Sequence, residues 1–437
     1  MLNKSEVRLV GITALGGLLE YYDFIIFALM AGYLANNFFP STDPHTSLLT
    51  TFATFSVGYL SRPLGGLLFG HLGDRYGRKC TFAVTVLIMA LSTTLIGCLP
   101  SHAEIGIWAP ILLIFLRLLQ GFSIGGEIPG AITLLSESNQ KHLGLIISLL
   151  LFGILSGLLL GHLVHSLLAY WLDEQSMQNW GWRLPFWLGG SLGIFSYFIR
   201  KHIHESKLFL EMDNKKLRQQ IPVVTLIKSH KRTLLAGIFL ITPAIVTMTL
   251  LFLFSQSYLT QLIHYDAKTV TTAGCIGIIA SICLAILFGW IADQYHKQEN
   301  RVWLLRAVCL LIILSAIPIF KAYADYQLSA YTVALFSSLL FGPVMTMTVL
   351  LLSTAFPVSV RYSGVALSFN IALASFGGLA PVIAMTLIKT TDSLISPSYY
   401  LAFSGFCGLT ACYLLKSQSC RQSAKSEQTS KESFHLD

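Results

Sequence analysis

Charge is scarce in this chain. Asp, Glu, Lys and Arg make up 11% of its 437 residues and 54% are hydrophobic, whereas a soluble domain runs near a quarter charged. Too few polar side chains remain to coat a water-facing surface. Paired metal spacings such as C-x-x-C are missing too. Of eight cysteines, Cys80, Cys98, Cys275, Cys283, Cys309, Cys407 and Cys412 sit in apolar runs and Cys420 lies in the polar tail. They read as buried, small apolar side chains, not as disulfide partners or ligands, so no metal and no cofactor is expected. No G-x-x-x-x-G-K-[ST] loop and no nucleophile beside a base occurs, which argues against a nucleotide site and against an enzyme. The alternating pattern of a membrane β-barrel is absent. The net charge of +8 could suggest nucleic acid, but the basic residues fall on alternate loops and form no single patch, so no nucleic-acid partner is expected.

What the chain does have is long apolar runs, and in lipid such runs must be helical, because every spanning backbone group has to be bonded within its own segment. Runs of roughly 20 residues fall near 9–34, 48–69, 80–99, 107–135, 144–172 and 183–199. Six more follow near 233–262, 269–291, 303–320, 328–352, 364–388 and 399–415. The first is too long for a signal peptide and lacks a small-residue cleavage site, so it stays as helix one. The pattern predicts an all-α integral membrane protein of twelve transmembrane helices in two six-helix bundles. The expected boundaries are 1–199 for the first bundle, 200–232 for a basic central loop, 233–416 for the second bundle and 417–437 for a short disordered tail. Lys and Arg crowd the central loop and the loops around 70–79, 136–143, 292–302 and 353–363, while the opposite loops hold only Arg183, Lys268, Lys321 and Lys389. The positive-inside rule then places both termini in the cytoplasm. Seven tryptophans lie near span ends, as interfacial anchors should.

Ionisable groups within spans cost about 2.5–3.5 kcal/mol each on insertion scales, so each needs a partner or a wet cavity. Five stand out: Glu20, Asp23, Arg62, Arg117 and Glu127. Glu20 and Asp23 share one face of helix one, and two neighbouring carboxylates in low dielectric resist double ionisation, which suits proton binding and release. A structural pairing of both with Arg62 or Arg117 is the alternative. On helix four, Arg117, Gln120, Ile124 and Glu127 fall within an arc of roughly 80°, a polar stripe about 15 Å long. Arg117 can grip a carboxylate bidentately and cannot itself deprotonate. Pro129 and Gly130 should kink the helix after Glu127 and expose local carbonyls. Arg62 and Arg117 admit a carboxylate, Tyr21 and Tyr22 a cationic amine, and a zwitterion suits both. Gln256 and Tyr258 on helix seven and Asn370 on helix eleven are further candidate substrate contacts, with helix-to-helix bonding as the alternative.

Between helices two and three runs Gly70, His71, Leu72, Gly73, Asp74, Arg75, Tyr76, Gly77, Arg78 and Lys79. Glycines at that spacing let helix ends approach, and Asp74 can cap a neighbouring helix and pair with a basic group in one conformation only. That is a latch.

At these residues the sequence resembles the major facilitator superfamily, and in particular its metabolite:proton symporter branch, which includes proline/betaine and α-ketoglutarate permeases. ALGGLLEYYDF (Ala14 to Phe24), ATFSVGYLSRPLGGLLFGHLGDRYGRK (Ala53 to Lys79), RLLQGFSIGGEIPGA (Arg117 to Ala131), WGWRLPF (Trp180 to Phe186) and FPVSVRYSGVALSFNIALASFGG (Phe356 to Gly378) follow in the order of that branch. The resemblance implies the major facilitator fold. It assigns Gly70, Gly73, Asp74, Arg75, Gly77 and Arg78 to an inner gate, and Glu20, Asp23, Arg117 and Glu127 to proton coupling. The second half keeps Gly289 and Asp293 but reads DQYHKQENR where glycine and arginine belong, which predicts a gate without a full symmetric counterpart. The expected function is uptake of a small polar metabolite, zwitterion or carboxylate, together with a proton, by a monomer in the cell inner membrane. A passive facilitator or transporter-like sensor, or an efflux carrier, are the rival readings.

Overall fold

The computed structural model describes residues 4–40, 44–138, 141–201, 205, 209–211, 222–295, 298–325 and 329–434. Within them the chain folds as helices without strands. About half of the predicted central loop, residues 202–204, 206–208 and 212–221, lies outside the described residues.

The first half consists of α1 (Lys4–Leu29), α2 (Pro44–Tyr76), α3 (Arg78–Cys98), α4 (Trp108–Ser138), α5 (Leu143–Trp171) and α6 (Leu184–Arg200). The second half holds α7 (Lys231–Met248), α8 (Ala267–Gln294), α9 (Gln298–Ala324), α10 (Ala330–Ala355), α11 (Arg361–Ala372) and α12 (Pro397–Phe434). Two helices carry on through wide π turns: α7 at Thr249–Phe254 and Tyr258–Leu262, and α11 at Leu373–Gly377 before resuming at Ala380–Thr391. By length and composition ten of these segments can cross a membrane. The other two are α2, 33 residues long, and α6, whose 17 residues are led in by a turn at Gly181–Arg183. The twelve spans of the sequence reading are thus the twelve long helices.

Packing follows from where the chain is small. Within the first half α1 lies on α5, α2 on α4, and α3 on α4 and α6; in the second, α8 packs on α10, and α12 on both α7 and α9. A Cβ at Gly121 would run into the carbonyl of Gly58, and one at Gly125 into that of Arg62. Bare Cα atoms on α4 therefore let its backbone rest on that of α2, the small-residue packing expected where lipid gives no hydrophobic drive between helices. Large apolar side chains such as Leu314, Phe195 and Trp303 point outward. The seam between halves is made by α5 against α8 and by α11 against α2 and α4.

Three expectations are corrected. Trp182 is not an interfacial anchor: it is fully buried, edge-on to Phe38 and Phe186. The cysteines are not uniformly inside, since Cys80, Cys98 and Cys283 sit on exposed faces, all of them free thiols; in lipid an outward thiol is no less apolar than a buried one. And α12 runs on to Phe434, through residues read as a disordered tail. From 416 to 434 there is neither proline nor glycine to stop it.

Candidate functional site

The buried charges of the first half gather on the inner faces of α1, α2, α4 and α6. Glu20, Asp23, Arg62, Arg117, Gln120, Glu127 and Arg200 are each at most 5% exposed. The helical spacing that put Glu20 and Asp23 on one face holds, but each finds a different partner. Asp23 accepts a hydrogen bond from Gln120 Nε2 at 2.7 Å; the same amide nitrogen donates to Thr93 Oγ1 at 2.8 Å, and Gln120 Oε1 accepts from Arg117 Nη1 at 2.8 Å. Gln120 thus joins the α1 carboxylate to the α4 guanidinium. Glu20 faces Arg62 Nη2 at 3.9 Å, beyond hydrogen-bonding reach. Arg62 also lies over the ring of Tyr59, at 5.0 Å, and Arg117 over that of Phe27, at 4.1 Å.

Glu127 turns elsewhere. Its Oε1 accepts from Arg200 Nη2 at 2.8 Å, and Arg200 donates further to the Phe82 carbonyl at 3.3 Å and lies over the Phe82 ring at 3.9 Å. Gly16 on α1 makes room, because a Cβ there would fall on the guanidinium. The sequence counts Arg200 among the loop cations; in the fold it is the last residue of α6, fully buried. Nothing in its spacing could have marked it, since a basic residue at a span end ordinarily snorkels outward.

A small cleft of about 10 Å³, room for a single water, lies beside this cluster, lined by Phe24, Gly58, Tyr59, Arg62, Arg117, Gly121 and Ile124. Its aromatic walls are Phe24 and Tyr59, edge-on with ring centres 5.5 Å apart. Tyr21 and Tyr22, singled out from the sequence, are not among the lining residues. Tyr22 donates to the Pro185 carbonyl at 2.9 Å, and Tyr21 packs 6.1 Å from Phe24 in the apolar core. Nor does the second half bring its candidates here. Tyr258 donates to the Leu394 carbonyl at 2.7 Å inside a ring cluster with Phe254, Phe320 and Tyr323. Half-buried Gln256 comes near Gly274 on α8.

Asn370 lies where the halves meet. Its Nδ2 donates to the Gly125 carbonyl at 2.7 Å, and Tyr362 Oη donates to the Gly126 carbonyl at 2.7 Å. The reason is in the sequence: Pro129 has no N–H, so the carbonyl four residues back, that of Gly125, lacks its helical donor. The carbonyls expected to be exposed by Pro129 and Gly130 are bonded across the seam by α11.

Towards the end of the molecule marked by the basic loops, the gate motif closes. Asp74 accepts from the backbone N–H of Tyr362 at 3.2 Å and of Ser363 at 2.9 Å, capping α11 at its positive pole. Arg78 pairs with Asp74 at 3.3 Å, donates from Nε and Nη2 to the two Glu137 oxygens at 3.2 and 3.1 Å, and donates to the Val358 carbonyl at 2.7 Å. Arg361 approaches Glu137 from the other half at 3.7 Å. Gly70 and Gly73 lie against Ser363 and the ring of Tyr362, and Gly77, at φ 113°, occupies backbone space that side chains avoid. Arg75 takes no part in these bonds: it is exposed, over the ring of Tyr76.

The second half has a partial counterpart, an aspartate cap without the arginines that surround Asp74. Asp293 accepts from the N–H groups of Gly144 at 2.7 Å and Leu145 at 2.9 Å, capping α5 as Asp74 caps α11. Gly289 and Gly144 pack so tightly that a Cβ on either would meet the other's carbonyl. No group of metal-binding side chains occurs among the described residues.

Twelve apolar helices in two halves, with a buried charged cluster and capped seams, define a polytopic secondary transporter, not an enzyme. The Major Facilitator Superfamily model matches residues 13–381, and the chain belongs to that superfamily. It is 35% identical over 428 residues to the proline/betaine transporter of Salmonella typhimurium, covering 93% of this chain and 83% of that one. The proline/betaine transporter of Escherichia coli K12 is likewise 35% identical, over 431 residues, with the same coverage of each chain. Among solved structures, the proton:xylose symporter XylE superposes with a TM-score of 0.74 at 16% identity, over 94% of this chain and 95% of that one. The human organic anion transporter MFSD10 follows at 0.66 and 15%, over 94% and 100%. At such identities the structural likeness speaks for the fold alone.

Proposed function

We propose that this protein is a proton-coupled symporter that imports a small zwitterion of the proline or betaine kind, and that it works by alternating access. The observation that carries the reading is the convergence of side chains around the small cleft beside the buried cluster, which has to widen to admit a solute. Two guanidinium groups, Arg62 and Arg117, stand on the same wall as two aromatic rings, Phe24 and Tyr59. A carboxylate matches the guanidinium fork and a quaternary or secondary ammonium matches the faces of the rings. Glu20, Asp23 and Glu127 on the adjoining helices supply acids for the proton. The named relatives are proline/betaine transporters, which supports this substrate class over a simple dicarboxylate.

The halves, 1–199 and 233–416, act as the rocking units in this reading. The hydrogen bonds described across the seam lie between the basic end and the level of Gly125. That arrangement is closed to the cytoplasm and awaits substrate from outside, with both termini cytoplasmic and a monomer in the inner membrane as the working unit. Asn370, proposed from sequence as a substrate contact, serves the seam instead in this state.

Reconstituted protein in sealed vesicles tests the proposal. Radiolabelled proline or betaine should accumulate when an inward proton gradient is imposed, and a protonophore should abolish the accumulation. Accumulation that ignores the protonophore would remove the coupling. Exchange without accumulation would favour a passive facilitator.

A further inference from the structure

We infer that the second half carries a binding groove for one acyl chain of a phospholipid, drawn from the leaflet opposite the basic loops. The groove lies between α9 and α10, encloses about 510 Å³ and shares no residue with the charged cluster of the first half. A volume of that order accommodates a ligand, whereas the cleft beside Arg117 has room for one water.

The residues themselves explain the hollow. On α9 its wall is built from Leu311, Leu314, Ser315, Pro318 and Ala322, the spacing of a single helical face. Val333, Phe336 and Leu340 of α10 stand opposite at a matching spacing. Pro318 lies inside α9, where a proline ring presses on the preceding turn and kinks the axis. Ser315 and Ala322 are too small to fill the space that results. The floor is closed by buried Ile319, Val333 and Leu340, and the exposed side chains of Leu311, Leu314 and Phe336 form the rims. Ser315 carries the one polar side chain of the wall, and it donates to the Leu311 carbonyl of its own helix at 2.6 Å. No lining side chain is left to recognise a polar solute.

Length and position point to the occupant. Both helices are long and apolar enough to cross a membrane, so the groove opens into hydrocarbon. α9 starts at the basic end with Gln298 and finishes at Ala324 on the other side. The groove takes up Leu311 to Ala322, about 16 Å at 1.5 Å per residue. The hydrocarbon core is about 30 Å thick, so this is the depth of one leaflet. A helix from a second copy would need a seat along the whole span, and this seat ends half-way. At the outer end Lys321 and Asp325 are exposed, so a polar mouth follows an apolar channel. There Lys321 can reach the phosphate of the lipid whose chain lies below. α10 also touches α4 and α5 of the first half, so the bound chain rests against a helix that meets the seam.

The test uses the full chain in phosphatidylcholine vesicles doped with a phosphatidylcholine that bears a diazirine midway along one acyl chain. After irradiation and digestion, adducts should be several-fold more abundant on residues 311–322 and 333–340 than at other outward positions such as Phe195 of α6 and Trp303 of α9. Ser315→Phe, which fills the groove, should remove that excess. Ile317→Phe, at an exposed position of α9 outside the groove, should keep it. Even labelling of all outward surfaces in the wild type would show ordinary boundary lipid and overturn the inference without recourse to any variant. An excess that survives Ser315→Phe would overturn it as well. So would a wild type that runs as a dimer with the groove shielded from the probe, which would assign the site to a second copy of the chain.

Discussion

At the seam of α2 with α11, Asp74 caps the start of a helix from the other half; at the seam of α5 with α8, Asp293 does the same in the opposite direction. Around Asp74 the chain adds Arg78, Glu137 and Arg361. Around Asp293 it adds a glycine pair, while Arg301, within electrostatic reach of Asp293, donates to the Ala292 and Tyr295 carbonyls of its own half. The shared element is a carboxylate against two N–H groups at a helix start. Arginines strengthen one seam, and close backbone contact strengthens the other. A latch is therefore defined by the aspartate and the helix it meets, and the surrounding basic residues are a separate layer.

Four substitutions break or sharpen this contrast, and all can be followed by the reactivity of a cysteine placed at Ala366 towards a membrane-impermeant maleimide from the basic end. Arg78→Ala should have the largest effect, since it leaves Glu137 and Asp74 buried without their main partner, a loss of about 3–5 kcal/mol. Labelling should rise steeply and thermal stability should fall; unchanged labelling would mean that the charged layer is not part of the closed seam. Next comes the aspartate pair. Asp74→Asn should weaken the closed state by about 2 kcal/mol and Asp293→Asn by about 1 kcal/mol, the range of a charged cap with and without an added ion pair. Equal effects would show that the caps alone set seam strength. Asn370→Ala should be the mildest, about 0.5–1.5 kcal/mol for one hydrogen bond, with a modest gain in labelling and uptake retained; complete loss of uptake would point to direct substrate contact.

Much of this was legible because lipid enforces it. The spans, the buried acids of α1, the stripe on α4 and the Asp74 latch follow from hydropathy, helical spacing and the cost of buried charge. Pro129 could be read as freeing carbonyls, though not that Asn370 and Tyr362 would take them up. Arg200 and Glu137 were hidden because both lie at span ends, where charge normally meets water; only the fold reveals that each is buried. The cleft uses Phe24 of α1 and Tyr59 of α2 in place of Tyr21 and Tyr22: α1 turns 100° per residue, and only the packing partners decide which of its aromatics faces α2 and which faces α6. Asp293 could be seen, but its role could not, since capping is defined by the helix it meets and not by its own neighbours in sequence.

Pro129 has one further consequence. By withholding a proton donor from Gly125, it creates an acceptor that the other half of the molecule must satisfy. In the proposed rocking of the halves α11 would leave that oxygen to solvent, so parting of the seam and wetting of the vestibule at mid-depth would be a single event. Dry opening is thereby penalised, and the pathway is hydrated by the same movement that releases its cargo.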